Sequence, residues 1–402
     1  MPIRFLTAGE SHGPELTTII DGIPADLDLV PEDINKDLQR RQGGYGRGGR
    51  MKIEKDEVIF TGGIRHGKTL GSPLSVRILN NDFKSWDISM SPLPVDLEDP
   101  NIKEKVESKY VSRVRPGHAD LAGAIKFSHE NIRNILERSS ARETTSRVVC
   151  GAICKKLLST LNIEVLSYVL QIGKAGVDIK SLGSDYNDLF FKAEASQVRC
   201  PDLKVSEQMK QAIDEARAQG DTIGGLIQVV ALGIPVGLGS YTQWDKRLNG
   251  RLAQALMSVH TVKSVEVGLG KKVSELYGSK VHDEIYVDPK WSGNSLRYKR
   301  KSNNAGGIEG GMSNGESIIC TIATKPIPTL IKSLDSVDIK SKQNTQAHFE
   351  RSDICVVPAA GVILEAMMAY VLVDAVLEKF GGDCVNDLLD SYNTYLKKCY
   401  QR

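Results

Sequence analysis

Ala359-Ala360-Gly361-Val362-Ile363-Leu364-Glu365-Ala366-Met367-Met368-Ala369-Tyr370-Val371-Leu372-Val373-Asp374-Ala375-Val376-Leu377-Glu378-Lys379-Phe380 is the stretch that decides the fold. It reads as one long helix, stopped by Gly381-Gly382, and it is apolar on most of its sides. A helix apolar all round has to be covered all round. The wider apolar region, Ile354 to Phe380, carries Glu365, Asp374 and Glu378. A membrane span tolerates such charges badly, so the helix is expected inside the protein.

What covers it is read from the rest of the chain. Pro31 to Gln42 predicts a helix with Pro31 in the first turn, Glu32 and Asp33 near its positive end, and Gly43-Gly44 as the stop. Further helices are expected over Thr144 to Leu161, over Glu207 to Gln219 with Ser206 as cap, and over Asp245 to Val259. Strand-like runs are Ile3 to Leu6, Glu57 to Thr61, Leu74 to Leu79, Glu164 to Ile172, Leu226 to Leu232, Ser264 to Leu269 and Ser317 to Thr324. There is no regular βα alternation, which argues against a doubly wound parallel sheet. Helices enclosed by sheets would satisfy the apolar last helix. The 402 residues suggest two to three domains at about 150 residues each.

Composition is that of a soluble globular chain, with 41% apolar and 25% charged residues. A net charge of +2 gives no general pull toward nucleic acid or membrane. The seven cysteines include no CxxC pair, so neither a disulfide framework nor a zinc site is indicated. Cys150 and Cys154 share a helix face and read as buried thiols, and no metal site is expected. Met1 to Leu6 is too short and too charged for a signal peptide, and the expected compartment is the cytoplasm.

The chemistry-bearing residues fall in Gly-rich loops. Ala8-Gly9-Glu10-Ser11-His12-Gly13-Pro14 follows a strand and sets a histidine where the backbone can approach a ligand. Arg40-Arg41-Gln42-Gly43-Gly44-Tyr45-Gly46-Arg47-Gly48-Gly49-Arg50 places four arginines among five glycines. A single copy in a globular sequence suits a small multiply charged anion better than RNA, because guanidinium forks bind carboxylate and phosphate bidentately. Arg115-Pro116-Gly117-His118-Ala119-Asp120 repeats the theme. Arg138-Ser139-Ser140-Ala141-Arg142-Glu143 leads into a helix, where hydroxyls and amides make either a cap or a phosphate site. The Asn303 to Gly315 loop holds too many glycines for a strand or helix. Lys325-Pro326-Ile327-Pro328-Thr329 is a rigid turn, and Arg351-Ser352-Asp353 precedes the long helix.

One motif misleads. Gly62-Gly63-Ile64-Arg65-His66-Gly67-Lys68-Thr69 matches a phosphate-loop pattern, but Gly71 and Pro73 leave no room for the helix that such a loop requires. A phosphotransferase using that loop, and a nucleic-acid-binding protein using the Arg-Gly block, are the rival readings.

Taken in order, these blocks resemble the chorismate synthase family, of the bacterial, monofunctional type, over nearly the whole chain. The resemblance implies an α+β fold, a β-α-β sandwich with long central helices between antiparallel sheets. It implies one domain over residues 1–402, assembled as a homotetramer. The implied reaction is a 1,4-anti elimination of phosphate from 5-enolpyruvylshikimate 3-phosphate to give chorismate. That reaction needs reduced FMN, which lends and recovers electron density without net redox change. The flavin would be reduced by an external reductase, with NADPH as indirect reductant. By the same resemblance the catalytic residues are His12, His118 and Asp353. Substrate-binding residues are Ser11, Arg41, Arg47, Arg50, Arg115, Ala141, Arg142 and Arg351. Cofactor-binding residues are Arg138, Ser139, Ser140, Gln254, Ala255, Gly310, Lys325, Pro326, Ile327, Pro328, Thr329 and Arg351. The family also connects Arg41 and Arg47 with NADP, although their forks suit a substrate anion at least as readily.

Overall fold

A computed structural model describes residues 2–48, 55–350 and 352–402. Two antiparallel sheets enclose a layer of helices. The first sheet is built from β1 (Arg4–Ala8), β2 (Glu15–Asp21), β3 (Ile59–Gly62) and β4 (Leu74–Leu79), in the order β1-β2-β4-β3. Leu16, Thr18 and Ile20 of β2 are buried while their neighbours are not, and Leu74, Val76 and Ile78 of β4 do the same. That period of two turns one face of the sheet into the core. Leu16 pairs with Ile78 and Ile20 with Leu74, so the apolar faces of the two strands are in register.

The inner helices are α1 (Pro31–Gln42), α4 (Thr144–Ser159), α6 (Leu248–Met257) and α7 (Val357–Phe380). Before α4 come two short helices that carry site residues, α2 (Asp120–Phe127) and α3 (Arg133–Ser139). The second sheet joins β5 (Glu164–Ile172), β6 (Ala175–Gly176), β7 (Gly225–Leu232), β8 (Val262–Val267) and β9 (Ile318–Thr324), in the order β8-β9-β7-β5-β6. The strand β5 is buried on both faces because α7 covers one side and the helix Tyr186–Glu194 the other. The helices α5 (Leu203–Ala218) and α8 (Val385–Tyr400) flank the layers.

The helix α7 packs on α1, α4 and α6 and on β5 and β7, and α4 lies beneath β2. By length and composition α7 could cross a membrane, but it is buried inside the protein. Gly151 of α4 lets the two central helices touch, since a Cβ there would stand 2.1 Å from that of Ala366. The carboxylate of Glu365 is fully buried among Arg40, Lys155 and Arg199, at 2.8, 2.9 and 3.0 Å. Arg40 and Lys155 also hold Asp37, and Arg40 and Arg199 hold Glu194. Three cations and three carboxylates balance, which is the condition for burying such a group.

The expected sandwich is present, and several boundaries differ from the sequence reading. The α7 helix starts two residues earlier, with Pro358 in its first turn. The α5 helix starts at Leu203 and is capped by Asp202, whose carboxylate accepts from Val205 N, instead of by Ser206. The α6 helix is shorter than Asp245 to Val259, and a 3-10 turn over Trp244–Lys246 precedes it. The Asn303 to Gly315 loop contains a small hairpin, Ile308–Glu309 with Met312–Ser313. The strand β2 and the helix α8 were not anticipated.

Candidate functional site

Arg41 ends α1 pointing into the layer and is 4% exposed. Its Nε and Nη2 donate to Thr144 Oγ1 at 3.1 and 3.0 Å, and Nη2 donates to the Ala141 carbonyl at 2.8 Å. Arg142, in the turn before α4, donates to Asn80 Oδ1 at 3.0 and 2.8 Å and to Asp56 Oδ1 at 2.5 Å. Arg47 pairs with Asp353 Oδ2 at 2.9 Å, and the Gly48 amide donates to Oδ1 of the same carboxylate. Asp56 stands 3.8 Å from Arg41. Burial, reinforced by the charges of Arg47 and Arg142 and only partly offset by Asp56, pushes the Arg41 guanidinium down to about 9. Its Nη1 is buried without a hydrogen bond. An anion would be drawn to that open donor.

Asn80 couples this cluster to the His12 loop, donating to the Gly13 and Glu10 carbonyls at 2.7 and 3.2 Å. Gly9, at φ +104°, turns the chain there, where a Cβ would meet the Glu15 carbonyl at 2.3 Å. Ser11 is buried; its amide donates to the Glu137 carbonyl at 3.1 Å, and Ser140 Oγ donates to its hydroxyl at 3.1 Å. The His12 ring lies 4.0 Å from that of Trp86, stacked at 25°, and its Nδ1 meets the Glu137 carboxylate at 2.9 Å.

The second histidine sits on a buried aspartate. His118 Nδ1 is 2.5 Å from Asp120 Oδ1, while Arg115 Nε donates to Asp120 Oδ2 at 2.9 Å and Arg115 Nη1 to Thr329 Oγ1 at 3.0 Å. Burial alone would raise the Asp120 carboxyl; the hydrogen bonds from His118 and Arg115 win and hold it at about 2. Arg115, Pro116, Gly117 and His118 line an open cavity of about 560 Å³ together with Leu121 and Ile125 of α2. Lys325 donates to the Gly117 carbonyl across the mouth of this turn.

Arg138 runs back to the end of β1, donating to the Thr7 carbonyl at 2.8 Å and the Gly9 carbonyl at 3.3 Å. Ser139 Oγ is spent on the Ile135 carbonyl, and Ser140 caps the turn at Arg142 N. Burial keeps His260 below the usual histidine range, where it feels the charges of Glu143, Arg147, His118 and Arg138. Gln254 is exposed on α6, Ala255 beside it is buried in the core, and Gly310 turns the 308–313 hairpin. These three are not drawn into the contacts of His12 or His118 described above. Arg50 and Arg351 lie outside the described residues.

A profile of the family described as chorismate synthase matches residues 3–377. The chain is 50% identical over 399 residues to the chorismate synthase of Syntrophotalea carbinolica, covering 98% of this chain and 99% of that one. It is 53% identical to that of Listeria innocua, with 95% of each chain covered. A crystal structure of chorismate synthase superposes with a TM-score of 0.78 at 39% identity, covering 100% of this chain and 99% of that one.

The chain belongs to the chorismate synthase family. That family completes the shikimate pathway and its members are carbon–oxygen lyases. Several residues of this chorismate synthase fold that hold the site together were not singled out from sequence. Asp120 lies inside a quoted motif, two residues after His118, and Glu137 stands directly before another, next to Arg138, so an acid beside each basic group was the available signal. Asp56, Asn80 and Trp86 had no local signal; Asp56 lies just before β3, Asn80 and Trp86 follow β4, and only the fold brings the first two to Arg142 and the third to His12.

Proposed function

We propose that this chain converts 5-enolpyruvylshikimate 3-phosphate to chorismate and phosphate, and that its substrate lies between the Arg41–Arg47–Arg142 cluster and His118. The observation that carries this placement is the Arg41 guanidinium: burial and the charges of Arg47 and Arg142 outweigh Asp56, 3.8 Å away, and its Nη1 is buried without a hydrogen bond among the described residues. The substrate offers a phosphate and two carboxylates to these forks. Ser11 and Arg115 complete its contacts, and Ala141 contributes the carbonyl that orients Arg41. We assign Arg41 and Arg47 to the substrate ahead of NADP, because Arg41 is enclosed by Thr144, Ala141 and Asp56.

His118 is the acid at the leaving phosphate. Asp120 occupies its Nδ1, so Nε2 presents the transferable proton. Arg115, packed on the same aspartate, lends positive charge where the departing phosphate gains negative charge. Asp353 is held by Arg47 and the Gly48 amide, which fixes its carboxylate for proton transfer.

Reduced FMN would supply the transient electron density that the elimination needs. The residues present suit an anionic group. Lys325 is held below the usual lysine range by burial and by the charge of Lys263, and no carboxylate pairs with it among the described residues. Lys325, the Pro326 to Thr329 turn, Arg138, Ser139 and Ser140 would hold the cofactor, with His12 beside it. The chain works in the cytoplasm, as one domain, in a homotetramer, and takes its reduced flavin from a separate reductase. The test is phosphate release from 5-enolpyruvylshikimate 3-phosphate by the purified protein. Release only with reduced FMN is expected; release with oxidised FMN or with none would defeat the proposal.

A further inference from the structure

Glu137 of α3 is nearly fully buried, and both its carboxylate oxygens and its backbone carbonyl reach the loop that carries His12. Its Oε2 accepts from the His12 amide at 2.7 Å, its Oε1 meets His12 Nδ1 at 2.9 Å, and its backbone carbonyl accepts from the Ser11 amide at 3.1 Å. A buried carboxylate needs a cation, and the nearest is Arg133, one helical turn earlier at 3.5 Å. Arg133 is engaged more closely by Glu350, at 2.6 Å. The negative charge of Glu137 is thus left largely for His12. On its flat face the imidazole stacks on Trp86, whose ring is also faced by Lys109 at 4.1 Å and Arg133 at 5.2 Å. An edge contact and a face contact together fix both the rotation and the plane of the ring.

We propose that Glu137 is the positioning residue of His12. It holds the proton on Nδ1, fixes the ring against Trp86, and leaves Nε2 as the nitrogen offered to bound ligands. Among the described residues Nε2 takes no protein hydrogen bond, which is what a ligand-directed nitrogen requires. The inference rests on His12 facing the ligands, as set out above.

The test combines two readouts on the full chain. Histidine-labelled protein gives the nitrogen NMR signals of His12, assigned by their loss in His12→Ala. Steady-state phosphate release with reduced FMN gives kcat and KM for Glu137→Ala and Glu137→Gln, each alone and in the His12→Ala background. Orienting partners of this kind are commonly worth about 10- to 100-fold in activity. Glu137→Ala should therefore lower kcat by ~10- to 100-fold, leave KM within a few-fold, and shift the His12 nitrogens away from the Nδ1–H pattern. Glu137→Gln, whose amide oxygen can accept from the same two donors, should restore most of the loss. In the His12→Ala background either change should cost almost nothing further, as coupled residues do. A loss that persists undiminished without His12, or a His12 signal indifferent to Glu137→Ala, would overturn the proposal. If Glu137→Ala does not fold, Glu137→Met, which removes both acceptors and keeps the volume, runs the same cycle. Wild-type turnover by His12→Ala would instead defeat the role given to His12, while the nitrogen signal still decides whether Glu137 sets its tautomer.

Discussion

Burial, with the charges of Arg47 and Arg142 and against the partial offset of Asp56, holds the Arg41 guanidinium down to about 9, a local deficit of negative charge that an added anion would relieve. Its neighbour Arg47 is the better place to probe the deficit, because it sits at 2.9 Å from Asp353 at the edge of the cluster. Arg47→Ala should weaken substrate binding by about 2–5 kcal/mol, as truncating one member of a buried charge pair does, and leave FMN affinity nearly unchanged. Titrating both ligands checks it; a loss confined to FMN would mean the loop serves the other ligand. His118→Ala should lower turnover by about 10²- to 10⁴-fold with binding largely intact, the range for removing a general acid. A variant with wild-type turnover would remove His118 from the chemistry. Both loops stand out in the sequence by their Gly, Arg and His, and the roles expected of the two residues come from the resemblance to the family. The carboxylate partners stand out less: Asp120 lies in the same motif as His118, but Asp56 reaches Arg142 across 86 positions.

Elements were easiest to read where one period ran unbroken. Pro31–Gln42, Leu74–Leu79 and Glu164–Ile172 have the boundaries their patterns predict. The strand β2 was missed because the Gly and Pro of the preceding motif drew attention to the loop, although its alternation is plain in the burial of Leu16, Thr18 and Ile20. The Gly62 to Thr69 segment shows the opposite risk, a pattern match with the wrong local structure. Ile64–Arg65 pairs with Lys68–Thr69 around His66 and Gly67, both at positive φ, +52° and +74°. Two such residues make a tight hairpin turn and not a helix start. Lys68 extends to Asp28 at 3.0 Å, half exposed. Lys68→Ala should accordingly leave FMN-dependent phosphate release within a few-fold of wild type, since an exposed pair contributes about 0–1 kcal/mol. Equilibrium dialysis should find no ATP bound; ATP affinity abolished by Lys68→Ala would restore the phosphate-loop reading.

On the scale of the whole molecule, the covered faces of α7 dictate the layers, and the charges inside them tie stability to pH. The missing βα alternation argued against a doubly wound sheet, the all-apolar helix called for cover on every side, and the two antiparallel sheets with the neighbouring helices supply that cover. Glu365 could be read as an interruption of that helix but not as the centre of a network, because Arg40, Lys155 and Arg199 reach it from α1, α4 and the loop before α5. Burial would raise the Glu365 carboxyl; the three cations pull it well below its usual 4.5. Glu350 behaves alike, burial being outweighed by His348 and Arg133 to leave it at about 2, as is Asp120. These carboxyls bind protons more weakly in the folded chain than in the unfolded one. Their stabilisation is therefore fully present above pH ~5 and is lost as the pH falls from there toward about 2. Glu365→Gln should remove one source of that dependence and leave three cations facing two carboxylates. Breaking a buried pair in this way costs about 3–5 kcal/mol at neutral pH. Urea unfolding of wild type and Glu365→Gln between pH 7 and pH 3 measures both effects. The variant should be much less stable at pH 7 and should lose less on acidification, so the two curves converge. Parallel curves would mean that Glu365 is already protonated in the native protein, and that the balance of three cations against three carboxylates does not hold the helices together.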